Sequence, residues 1–175
     1  MKLWIIYKEG IGFSKIIAEM LQDRLEDYID VSVGNAKMID PTFLTEERLD
    51  YLIVGDVISE LIPSMEIQSW LLKYKEISKN LNLTIKLISG FYVALTDIAD
   101  QPLWVEFLQD NIKAETIYPP ILLLTLNKTE LSLENGTLEL IKDYCNDLID
   151  FFINNKKKIK KKKNGFLEKE GENNY

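Results

Sequence analysis

The sequence predicts an α/β domain: a doubly wound five-stranded parallel sheet in the order 2-1-3-4-5, with helices on both faces. Three observations carry this prediction. Short apolar runs alternate with amphipathic helical patterns five times along the chain, as crossovers between parallel strands require. The run Leu49-Asp50-Tyr51-Leu52-Ile53-Val54-Gly55 is apolar on both faces toward its end, which suits a strand covered by helices on both sides. The first strand leads through a glycine-containing turn directly into a helix, the unit that opens such sheets. Right-handed crossovers then leave few strand orders.

The elements follow in order. Leu3 to Tyr7 is the first strand, flanked by Lys2 and Lys8. The turn is Lys8-Glu9-Gly10-Ile11-Gly12-Phe13-Ser14-Lys15, and the helix after it carries Ile16, Ile17, Met20, Leu21, Leu25 and Tyr28. Ile29 to Val33 is the second strand, ended by Gly34 and Asn35. Asp40-Pro41-Thr42 begins a turn, and Thr45 to Arg48 forms one or two helical turns. Leu49 to Gly55 is the third strand, and Asp56 to Pro63 is expected as a loop. Ser64 is placed to cap the next helix, which has Ile67, Trp70, Leu71, Tyr74 and Ile77 on one face. Leu83 to Ile88 is the fourth strand, continued by Ser89-Gly90-Phe91-Tyr92-Val93-Ala94. Pro102 suits a first helical turn, and Leu103, Trp104, Phe107, Leu108 and Ile112 give that helix its face. Ile121 to Leu126 is the fifth strand, and Lys128 to Leu133 a short extra strand or an ordered loop. Thr137 to Ile153 is the last helix, with Cys145 as a core residue. Trp4, Trp70 and Trp104 all fall on apolar faces, where they pack.

Composition restricts the chemistry. The 175 residues fit one domain, 1–153, followed by a Lys-rich tail, 154–175. There is no histidine and one cysteine, which excludes a Ser-His-Asp or Cys-His nucleophile, His-ligated metals and an internal disulfide. Carboxylates, Lys, Tyr or a bound cofactor remain. No apolar run reaches a membrane-spanning length and the start of the chain lacks a signal-peptide pattern, so a cytoplasmic protein is expected. Residues 1–155 hold 13 basic and 25 acidic residues, a net of −12, while residues 156–175 hold eight Lys and three Glu, a net of +5. The acidic body suits docking to a protein partner with a basic surface. The tail cannot bury itself, so it is expected to be disordered or a frayed helical extension. It offers a contact to anionic lipid or nucleic acid, or simply a solvated segment.

Across residues 1–153 the chain resembles the flavodoxin-like family of FMN-binding proteins. The family's phosphate loop reads Ser/Thr-x-Thr-Gly-Asn-Thr after the first strand; the matching stretch here is Glu9-Gly10-Ile11-Gly12-Phe13-Ser14, with Ala18 one turn on. Gly12 and Ser14 fit, while Glu9, Ile11 and Phe13 replace two hydroxyls and an amide. Asp50-Tyr51-Leu52-Ile53-Val54-Gly55 looks like the family's Tyr-Asp-x-Leu-Ile-x-Gly segment. Its usual Ser/Thr-Pro-Thr-aromatic continuation reads Asp56-Val57-Ile58-Ser59-Glu60 here; the aromatic that would cover one flavin face is absent, and Ile58 is available as an aliphatic substitute. The third loop is Ser89-Gly90-Phe91-Tyr92, with Tyr92 available for stacking and Asp97 and Asp100 near the rim. The resemblance implies an FMN site built from Gly10, Ile11, Gly12, Phe13, Ser14, Asp56, Val57, Ile58, Ser89, Gly90, Phe91 and Tyr92. It implies electron transfer or FMN-dependent oxidoreduction, in which the flavin carries the chemistry. The substitutions in the loops leave open a flavodoxin-fold interaction or regulatory module without flavin. A receiver-type domain of the same topology is a third reading, with Asp56 as phosphoacceptor, Glu9 as a lone partner acid and Lys128 as the nearest lysine after Thr125.

Overall fold

Alternating side chains on each strand dictate a two-faced sheet, and the computed structural model shows both faces covered. It describes residues 1–9, 12–58, 62–94, 102–118, 122–127 and 132–171, with only the backbone at 102, 122–127 and 158–171. The strands are β1 (Lys2–Tyr7), β2 (Asp30–Asn35), β3 (Tyr51–Ile58), β4 (Ile85–Ala94), β5 (Ala114–Ile117), β6 (Leu122–Asn127) and β7 (Ser132–Leu133). The helices are α1 (Phe13–Leu25), α2 (Pro41–Glu47), α3 (Met65–Asn80), α4 (Pro102–Asn111) and α5 (Thr137–Gly171).

The parallel sheet has the predicted order 2-1-3-4-5. Its fifth place is shared by two strands in line. β5 runs beside the start of β4, with Ile85 opposite Ala114 and Ile88 opposite Ile117. β6 runs beside its end, with Phe91 opposite Leu122 and Ala94 opposite Thr125. β5 ends at Ile117 and β6 begins at Leu122, with residues 119–121 outside the described residues. β7 pairs antiparallel with β6, so a short extra strand is present at 132–133; the rest of the expected segment, 128–131, lies outside the described residues.

Period-two alternation sends Leu3, Ile5 and Tyr7 of β1 to one face, where they pack against Ile17, Leu21 and Leu25 of α1 and Ile141, Cys145, Leu148 and Phe152 of α5. Trp4 and Ile6 go to the other face with Leu44 of α2, Ile67, Trp70, Leu71 and Tyr74 of α3, and Trp104 and Leu108 of α4. Burial pushes the Cys145 thiol up to about 11, as befits a packed core residue.

Four boundaries differ from the sequence reading. α2 begins at Pro41, because the Asp40 carboxylate accepts the Thr42 N–H (2.9 Å) and caps a helix there. β3 continues through Asp56 and Val57 to Ile58, opposite Ala94 of β4, so the first three residues of the segment expected as a loop belong to the strand. β4 likewise contains Ser89 to Tyr92 in its interior. α5 continues past Ile153 to Gly171, since lysine, leucine and glutamate propagate a helix well.

Candidate functional site

Strand carboxyl ends are where doubly wound sheets place ligands. Here the first such end is followed by an uncapped helix. Gly12 precedes α1 in a left-handed conformation (φ +92°), which glycine adopts without steric cost. The Gly12 carbonyl accepts the first helical bond, from Ile16 N–H at 3.2 Å. The N–H groups of Phe13, Ser14 and Lys15 therefore have no intrahelical acceptor. No side chain caps them and no acid stands in the first turn. The Ser14 side chain is fully buried beside them, and its Oγ has no hydrogen-bond partner among the described residues. A buried hydroxyl without a partner is costly. Together with the helix start, it forms a donor set suited to an anion.

The neighbouring charges leave this donor set open. Glu9 accepts the Asn35 Nδ2–H at 2.9 Å, so its carboxylate is engaged with the end of β2. Lys15 pairs with Glu19 one turn along α1 at 3.7 Å. Lys8 lines a cleft of about 330 Å3 with Val57, Ile58, Ile62, Pro63 and Met65, between the end of β3 and the start of α3. Met65 is 82% exposed there.

Asp56 is fully buried on β3. One carboxylate oxygen accepts the Val57 N–H (2.8 Å) and the other the Ser64 N–H (2.6 Å). Burial pushes its pKa above the usual carboxylate range, against these hydrogen bonds and the nearby Lys8 charge. Asp56 thus ties the start of α3 to the sheet. With both oxygens committed to backbone N–H groups, it is not placed as the phosphoacceptor of a receiver domain. Ser64 occupies the N-cap of α3 without using its hydroxyl as a cap.

Several predicted site residues lie elsewhere. Ile58 packs into the core on the α2–α4 side while also lining the Lys8 cleft; Val57 beside it is partly exposed. Ser89, Gly90, Phe91 and Tyr92 are inside β4 and buried. Ser89 Oγ accepts the Tyr144 hydroxyl (2.6 Å) and donates to the Tyr118 carbonyl (3.2 Å), which joins α5 to the end of β5. Phe91 lies over Gly55, where an added Cβ would come within 2.1 Å of its ring. Gly90 leaves room for the Trp104 indole, whose Nε1 would lie 2.8 Å from a Cβ there. Tyr92 packs against the same indole at 5.7 Å between ring centroids. These glycines and aromatics are core features: the aromatic ring fills the space that the glycine leaves. Gly10, Ile11, Ser59, Glu60, Asp97 and Asp100 lie outside the described residues. The structure thus brings Gly12, Phe13, Ser14, Asp56, Val57 and Ile58 to the carboxyl end of the sheet. It adds Lys8, Asn35, Ile62, Ser64 and Met65, which helical periodicity alone does not mark. Among the described residues, no group of three or more His, Cys, Asp or Glu side chains is placed to hold a metal.

The chain superposes on an archaeal flavodoxin with a TM-score of 0.68 at 18% identity, covering 87% of this chain and 99% of that one. The fold is that of the flavodoxins. The oxidised flavodoxin 1 of Bacillus cereus agrees (TM-score 0.61, 16% identity, 88% and 98% covered). So does rubredoxin oxygen:oxidoreductase from Desulfovibrio gigas (TM-score 0.66, 14% identity), where the flavodoxin-like chain covers 86% of itself and 36% of that longer protein. No protein-family model matches the sequence, and no curated protein matches it significantly. At these identities the likeness establishes the flavodoxin-like architecture. No helix among the described residues is long and apolar enough to cross a membrane.

Proposed function

We propose that this flavodoxin-like protein binds FMN at the carboxyl end of its sheet and serves as an electron carrier or FMN-dependent oxidoreductase. The observation that carries this reading is the Ser14 hydroxyl, fully buried and unpartnered beside an uncapped helix start. A phosphate would supply the acceptor that Ser14 Oγ and the N–H groups of Phe13, Ser14 and Lys15 lack. Gly12 holds the turn, and Lys8 offsets the second phosphate charge. The apolar cleft wall of Val57, Ile62 and Met65 suits an aromatic ring system and shields it from water on one side. When bound, the flavin would supply the redox chemistry. The chain's own part is to hold the phosphate and orient the ring. The acidic body favours a basic protein partner, and a cytoplasmic site of action accords with the composition.

A flavodoxin-fold interaction module without flavin is the second reading. It is favoured by the described lining of the cleft, which contains no aromatic side chain. The two are separated by the visible spectrum of the full chain after incubation with excess FMN and desalting. The FMN reading expects flavin bands eluting with the protein, and their loss in Gly12→Asp, which brings a negative charge and a side chain to the left-handed position. A colourless protein that also fails to keep added FMN would leave the interaction module standing.

A further inference from the structure

The lysine-rich end of α5 takes no part in the candidate site. α5 stays on the sheet through Phe152, whose ring lies 4.8 Å from that of Tyr51 at the start of β3. One turn later Lys156 Nζ donates to the Tyr28 carbonyl beyond α1. Both contacts are at the amino end of the sheet. Past them the backbone stays helical to Gly171, about 22 Å further at 1.5 Å per residue. Residues 156–171 carry eight Lys and two Glu, a net of +6, against a net of −12 for residues 1–155.

This segment is not purely basic. Ile159 and Phe166 stand seven and fourteen residues after Phe152, so they share the helix face of Ile141, Cys145, Leu148 and Phe152. Leu167 adjoins Phe166. That face packs on the sheet up to Phe152 and then continues beyond it. A phosphate backbone would use only the lysines. An anionic bilayer surface uses both classes: lysines for the headgroups and sparse large apolar residues for the acyl boundary.

We propose that residues 156–171 of α5 dock the protein on an anionic lipid bilayer surface. The acidic body is repelled by the same surface and stands off from it. Because the helix leaves from the amino end of the sheet, the candidate site at the carboxyl end stays on the far side, open to solvent. The proposal does not depend on flavin binding.

Co-sedimentation of the full chain with vesicles tests it. The expected result is pelleting with phosphatidylcholine vesicles containing about 30% phosphatidylserine, none with phosphatidylcholine alone, and weakening as salt rises. K160E/K161E/K162E/K163E should cut binding at least about tenfold, and I159N/F166S several-fold at constant salt. All six positions lie past the last described contact with the domain, and an unchanged thermal melt of each variant checks that the body is intact. Failure of the parent chain to pellet with the anionic vesicles overturns the proposal. So does full vesicle binding by I159N/F166S. Tighter binding to a single-stranded RNA oligomer than to vesicles would assign the helix to nucleic acid instead, whether through its lysines alone or with base stacking on Phe166.

Discussion

The two ends of the sheet treat their polar groups in opposite ways. At the amino end they are paired with one another. Glu47 accepts both Lys2 Nζ (2.8 Å) and Trp4 Nε1 (2.9 Å), and these two donors hold its carboxyl below the usual range. Asp50 accepts the Lys2 backbone N–H at 3.0 Å and pairs with Lys86. At the carboxyl end, Ser14 Oγ is buried with no partner among the described residues, and α1 starts without a side-chain cap. A fold can satisfy polar groups wherever side chains reach them, as the amino end shows. The donors left over at the carboxyl end are therefore the better guide to a ligand. Asp56 marks the limit of that contrast: it is a polar group at the carboxyl end that is fully used, on the backbone of Val57 and Ser64.

Substitutions can break or sharpen this comparison. The largest effect is expected from Phe91→Ala, beneath both ends' contacts in the shared core. Loss of a buried ring over Gly55 should cost about 3–5 kcal/mol in urea unfolding. A much smaller cost would mean that the ring is not packed as core and would reopen its assignment to the site. Asp50→Ala comes next. It strands the Lys2 N–H and the Lys86 ammonium, and should cost about 1–2 kcal/mol; a neutral result would show that the amino-end pairing contributes nothing to stability.

Asp56→Asn is read through pH. Burial raises the carboxyl's pKa in the folded state, so its favourable contribution is complete below the unfolded pKa and is lost as pH rises through the folded value. The variant should therefore gain in melting temperature relative to the parent as pH rises from about 4, and a difference that stays constant with rising pH would contradict this sign. The smallest stability effect belongs to Ser14→Ala. Removing an unpartnered buried hydroxyl should leave unfolding within about 0.5 kcal/mol of the parent or slightly improve it. FMN retention should nevertheless fall about tenfold, as expected for one lost phosphate hydrogen bond. A stability loss of more than about 1 kcal/mol with retention unchanged would make Ser14 a structural residue.

The elements themselves were readable because each is written in local pattern. Leu3 to Tyr7 and Tyr51 to Val54 are apolar runs of strand length, and Ile67, Trp70, Leu71 and Tyr74 repeat at helical spacing. The α1 turn was readable as well, through Gly12 and Ser14. Ser89 to Tyr92 was misplaced, because a glycine flanked by a serine and aromatics looks like a loop. Only the packed sheet shows that Gly55 and Gly90 make room for Phe91 and Trp104. Asp56 to Ile58 was misplaced for a related reason: an aspartate inside a strand reads as a strand end until the Ser64 N–H that satisfies it is brought alongside.

The sequence by itself determined the alternation of strands and helices, the parallel order 2-1-3-4-5, the chemistry barred by the lack of histidine, and the opposite charges of body and tail. These depend on composition and short-range periodicity, which one chain displays completely. The tertiary structure alone decided which polar groups are spent and which remain. It paired Glu47 with Lys2 and Trp4, turned Glu9 to Asn35, closed both oxygens of Asp56, and left the Ser14 hydroxyl without a partner. Each of these depends on groups that are distant in sequence or on the burial the packed sheet creates, and a hydrogen bond forms only where folding brings donor and acceptor within about 3 Å.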